Sequence, residues 1–82
     1  MAYKIKGIVQ SIGDIKTTKL GTACQQLGME QETGRVFFPM ALGTKIELLT
    51  DLLPNDVIEL DFHISGHKGT YNSVIIDNIT RI

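Results

Sequence analysis

Hydrophobic and polar residues alternate in short runs along most of this chain, which is how half-buried strands are written. From Tyr3 to Ile12, apolar residues fall at Tyr3, Ile5, Ile8, Val9 and Ile12. The alternation changes phase across Gly7, which predicts a bend or bulge that carries one strand between two halves of a sheet. Ser11 to Gly21 reads as a polar loop. Thr22 to Glu30 alternates again, and Gln31 to Gly34 reads as a hairpin turn with Gly34 free to take positive φ. Arg35 to Leu42 is a third strand. Val36, Phe38, Met40 and Leu42 share one of its faces, and Arg35, Phe37, Pro39 and Ala41 the other. Pro39 has no amide hydrogen for a ladder, so it marks an edge or a bulge.

One helix is expected. Thr44 and Glu47 have capping-box spacing, and Ile46, Leu49 and Leu53 follow near the helical period. Leu53-Pro54-Asn55-Asp56 stops it. In Val57 to Ile64, Ile58, Leu60, Phe62 and Ile64 alternate with Glu59, Asp61 and His63. Ser65 to Gly69 is a glycine-bounded turn, and Tyr71 to Ile79 a final strand rich in β-branched residues. The order is three strands, a short helix and two strands, with the first strand bent. It predicts an all-β fold, a five-stranded OB-fold barrel with the helix between strands three and four. A five-stranded open α+β sheet is the alternative.

Length and composition narrow the picture. Eighty-two residues, 43% hydrophobic and 21% charged, suit a single domain spanning 1–82. A net charge of −1 excludes a strongly basic clamp on nucleic acid but leaves room for local patches. Residues 1–20 carry four lysines (Lys4, Lys6, Lys16, Lys19) against Asp14 alone, whereas residues 47–61 carry five acids and no base. That segregation predicts a basic side and an acidic side. The single cysteine, Cys24, excludes a disulfide framework and a cysteine-rich zinc site. No run of about 18 apolar residues is present. MAYKIKG lacks the apolar stretch of a leader, so the cytoplasm is the expected compartment. No cofactor and no metal are expected. His63 and His67 are four apart, but on a strand and a turn, so helical i, i+4 ligand geometry does not apply. Asp61 and His63 share a strand face, but no nucleophile stands beside them, so no enzymatic activity is expected.

The run LGTKIELLTDLLPNDVIELDFHISG, followed by GTYNSVIIDNITRI, resembles small bacterial OB-fold proteins related to single-stranded DNA-binding protein, among them a domain family of unknown function. The matching positions are Gly43, Lys45, Ile46, Asp56, Val57, Gly69 and Tyr71, and YKIKGIVQSI is similar to the family's first strand. The resemblance implies a single-stranded DNA or RNA partner, and the short groove of one 82-residue barrel favours self-association as a dimer or tetramer. Relatives usually carry tryptophan at the end of strand three and beside the last strand's tyrosine; this chain has none.

In OB folds the cleft lies between the strand 1–2 loop, the strand 4–5 loop and the face of strands two and three. Phosphates call for cations along a groove, and bases for aromatic faces. The candidate nucleic-acid-binding residues are therefore Lys16 and Lys19 in the first loop and His67 and Lys68 in the second, with Lys6 as a further phosphate contact, Phe37 and Tyr71 as stacking faces, and Arg35 as a guanidinium neighbour. The plainer readings are solubilising lysines, a Phe37 dimer contact and a Tyr71 that fills the barrel mouth. They make a protein-interaction module without nucleic-acid activity the rival function, with oligosaccharide or small-ligand binding behind it.

Overall fold

In the computed structural model, residues 3–67 and 71–82 are described, and side chains at 67, 71 and 72 are left out of account. The strands are β1 (Tyr3–Thr17), β2 (Ala23–Glu30), β3 (Val36–Phe37), β4 (Met40–Leu42), β5 (Val57–His67) and β6 (Tyr71–Arg81), with a 3₁₀ helix, Gly43–Leu49, between β4 and β5. The pairing order β1-β5-β6-β4-β2 returns to β1, so five strands close a ring while β3 continues the sheet beyond β2. This is the expected OB fold. Its third strand is divided at Pro39, which is buried and places its carbonyl 2.9 Å from the Leu27 amide, bridging the gap between β3 and β4.

β1 makes the closure possible. Its first half pairs with β5, from Tyr3↔Phe62 to Ile8↔Val57, and its second half with β2, from Ile8↔Glu30 to Thr17↔Ala23. At the crossing, a Cβ on Gly7 would stand 2.6 Å from the Glu30 carbonyl oxygen, so only glycine lets the two backbones approach this closely. Register shifts between Val9 and Ser11 and between Ile12 and Ile15 add the remaining curvature. The turn before β5 is stitched to the same region. Val9 donates to the Asp56 carbonyl at 2.9 Å, and Asn55, in the left-handed region, donates to the Val9 carbonyl at 2.7 Å.

Val9, Leu27, Met29, Ala41, Ile58, Leu60 and Ile76 fill the interior. The helix supplies Leu49, with Leu52 just after it, and Ile46 and Leu48 pack alongside. The expected capping box is not formed. The helix begins at Gly43, whose positive φ turns the chain out of extended Leu42, and no side chain caps it. Thr44 thus falls inside the first turn, where its oxygen is not placed to serve as the cap.

Three boundaries also differ from the sequence reading. β1 runs on to Thr17, shrinking the expected Ser11–Gly21 loop to residues 18–22, while β5 reaches His67 and β6 reaches Arg81. The β5–β6 hairpin therefore extends as a two-stranded ribbon beyond Ile75, the residue that pairs with β4, while the Gly13–Thr17 end of β1 is an exposed edge beside β2. A ribbon exposed on both faces has no core-directed alternation to betray it.

Candidate functional site

The β1–β2 turn is held by its own backbone. Thr18 donates to the Thr22 carbonyl at 2.8 Å, Gly21 donates to the Thr18 carbonyl at 2.9 Å, and Gly21 takes φ 84° to close the turn. Lys19 and Leu20 are carried at its tip, and Leu20 is 93% exposed. Across from this turn lies the β5–β6 ribbon, with Ser65 opposite Ser73 and Gly66 opposite Asn72. Between them opens a cleft of about 660 Å³. Thr18, Lys19, Leu20 and Thr22 form one wall, Ser65, Gly66 and Ser73 the other, and Met40, Leu42 and Ile75 the floor. Met40 and Ile75 are the residues whose parallel pairing closes the ring, so the floor rests on a fixed part of the fold.

Strand phase decides which side chains reach the outer face beside this cleft. Leu27 and Met29 point inward, so Cys24, Gln26 and Glu30 point outward, together with their cross-strand partners Leu42, Met40 and Val36. Lys16 lies opposite Cys24 and borders a second recess of about 220 Å³ with Gly13, Asp14, Gln26 and Met40. Met40 lines both recesses, so Lys16 and Lys19 border neighbouring recesses that share this residue. Gln25 donates to the Gly13 carbonyl at 2.8 Å and braces the bulge that precedes Lys16. Among the described residues, neither Lys16 nor Lys19 has an ion-pair partner.

Phe37 is turned away from that surface. It pairs with Met29, shares its inward face, packs on the core and sets its ring 6.5 Å from Phe62. The exposed ring is Phe38, at 57%. It lies over Gly28, where an added Cβ would meet a Phe38 ring carbon at 3.4 Å. Gln26 Nε2 donates to the Phe38 carbonyl at 3.4 Å. Phe38, Gln26 and Met40 are thus outer-face residues that the sequence reading did not single out. The signal was present in the parity of Phe37 with Ala41, but it needed the Met29 pairing to say which parity is inside.

Lys6 and Arg35 lie away from the cleft. Lys6 sits cross-strand from Glu59 and borders a groove with Glu30, Gln31 and Glu32. Arg35 belongs to the β2–β3 turn, where its carbonyl accepts from Gln31 at 2.8 Å. That end of β2 is roughly 20 Å from the Cys24 end at the usual rise per strand residue. His67 and Tyr71 pair at the end of the β5–β6 ribbon, on the cleft side, with their side chains outside the described set; Lys68 lies outside the described residues.

The expected division into a basic and an acidic side holds only in part. The β1–β5 register sets Lys4 opposite Asp61 and Lys6 opposite Glu59, and Lys4 Nζ lies 3.8 Å from both Glu59 and Asp61. Arg81 similarly reaches Asp56 at 3.4 Å and the Asp51 carbonyl. Two of the four N-terminal lysines therefore sit among the acids, and the other two stand at the cleft. His63 does not engage Asp61. Its Nδ1 is 2.8 Å from Oδ1 of Asp77, the residue displaced by the β6 bulge. Among the described residues, no cluster of three or more His, Cys, Asp or Glu is placed to hold a metal.

No family model matches the chain, and no curated protein matches it in sequence. Solved structures do match in fold. The protein priB from Ralstonia solanacearum is similar with a TM-score of 0.74 at 11% identity, over 99% of this chain and 97% of that one. The SSB domain of a Synechococcus sp. protein gives 0.74 at 10% identity, over 95% and 91%. A mitochondrial single-stranded DNA-binding protein from S. cerevisiae gives 0.72 at 11% identity, over 100% and 93%. At these identities the likeness is one of fold, and the chain has the small OB fold found in SSB-type proteins.

Proposed function

We propose that this chain is a non-enzymatic OB module that binds single-stranded DNA or RNA in the cleft between the β1–β2 turn and the β5–β6 ribbon. The observation that carries this reading is the pair of ammonium groups, Lys16 and Lys19, which have no ion-pair partner among the described residues and stand on the β1–β2 side of an outer-face floor that the β5–β6 ribbon walls on its other side. Phosphates would track the lysines, with Lys68 joining from the turn after β5, and a base would stack on Phe38 beyond Gln26. Tyr71 and His67 are proposed to act from the end of the ribbon. Lys6 and Arg35 receive no place in the cleft. The SSB-type neighbours support the class of partner. Fluorescence anisotropy of labelled oligo-dT at low salt is the test. Salt-sensitive binding is expected, and no binding at micromolar protein would defeat the reading.

A second reading, a protein-interaction module, is favoured by the exposed apolar side chains Ile8, Val57 and Ile82, which border one groove on the flank away from the cleft. The two readings are compatible if the chain self-associates there while its cleft stays open. Light scattering of the free protein and of its oligo-dT complex separates them. A homo-oligomer that binds DNA satisfies both, and an oligomer without DNA affinity leaves only the second.

A further inference from the structure

The cleft floor is aliphatic. Met40, Leu42 and Ile75 form it, Leu20 overhangs it, and among the described lining residues none is aromatic. Among the described lining residues, the polar side chains there are hydroxyls and Lys19. A hydroxyl donates or accepts as its rotor allows, so it reads the hydrogen-bonding edges of bases poorly. A phosphate-seeking ammonium reads them no better. An aliphatic floor does respond to one chemical difference among bases, a methyl group. Apolar contact with the C5-methyl is an established means of recognising thymine. Because Met40 and Ile75 are the pair that closes the strand ring, this floor is already formed before any ligand arrives.

We propose that the cleft selects thymine over uracil, and so DNA over RNA where the one carries thymine and the other uracil, by seating the C5-methyl against Met40, Leu42 and Ile75. This rests on the nucleic-acid reading above. Burying one methyl group corresponds to about a fourfold gain in affinity for each base so seated.

The test is competition of labelled oligo-dT by unlabelled oligomers of equal length. Oligo-dU keeps the deoxyribose and removes only the methyl, so it should compete about fourfold less well or worse. Oligo-dC and its 5-methyl form provide the same comparison on a different base, and the methylated oligomer should bind more tightly by a similar factor. In the Met40→Gln variant, whose changed side chain is on the outer face and only half-buried, both ratios should shrink toward unity. Equal binding of oligo-dT and oligo-dU by the unaltered protein would overturn the methyl seat while leaving the nucleic-acid reading in place. Undiminished ratios in Met40→Gln would overturn the assignment to this floor. Failure of every oligomer to bind would overturn the nucleic-acid reading and the methyl seat with it.

Discussion

Removing the two cleft lysines tests the electrostatic half of this account. Each ammonium that neutralises a phosphate on a single strand contributes about −0.7 to the slope of log affinity against log salt. Lys16 and Lys19 are exposed and, among the described residues, unpartnered, so together they set a slope of about −1.4. With Lys68 added, the unaltered protein should reach about −2.1, equivalent to roughly a 120-fold loss of affinity for each tenfold rise in salt. The double variant Lys16→Ala, Lys19→Ala should flatten the slope by about 1.4. The matched control is Lys4→Ala, Lys6→Ala. It removes the same charge, but from a flank where Lys4 already lies 3.8 Å from Glu59 and Asp61 and Lys6 faces Glu59 across the strands. Anisotropy titrations with labelled oligo-dT over a range of salt give all the slopes. An unchanged slope in the first double variant, or equal flattening in both, would refute the placement of the phosphate track.

Other consequences concern the fold and the outer face. Gly7→Ala sets a Cβ 2.6 Å from the Glu30 carbonyl oxygen and 2.8 Å from Met29 Cε, so it should cost about 1–3 kcal/mol in urea unfolding. A change within about 0.5 kcal/mol would show that β1 does not cross β2 as closely as described. The adjacent phenylalanines should separate cleanly. Phe37→Ala, which empties space on the core beside Phe62, should lower stability by about 2–3 kcal/mol. Phe38→Ala should leave the urea midpoint nearly unchanged and reduce oligo-dT affinity by about 1–3 kcal/mol. The reverse assignment of losses would place Phe37, not Phe38, on the binding face.

Much of the fold could be read from the chain because local pattern and tertiary role agree. Ile58, Leu60 and Phe62 alternate with Glu59, Asp61 and His63, and all three turn inward. The phase change at Gly7 marks the place where β1 changes partners. Features set by distant partners could not be read. Phe37 and Phe38 are equally apolar, and only pairing of Phe37 with inward Met29 settles which of them is exposed. Lys4 and Lys6 look like part of a basic segment until the β1–β5 register lays them against Asp61 and Glu59. The end of β1 from Gly13 to Thr17 is exposed throughout, Ile15 included, so it carries no core-directed alternation and reads as a loop. The helix signal at Thr44 and Glu47 has the right spacing, but the 3₁₀ helix begins at Gly43 with Leu42 at its N-cap, two residues before the expected cap.

Amide chemical-shift mapping of the isotope-labelled protein, titrated with oligo-dT, tests the central claim most directly. The largest changes should fall at Thr18 to Thr22, Met40 to Leu42, and Ser65 and Ser73, with Lys16 and Phe38 at their border. Changes concentrated instead around Lys6, Glu30 and Ile82, with the cleft residues unmoved, would contradict it.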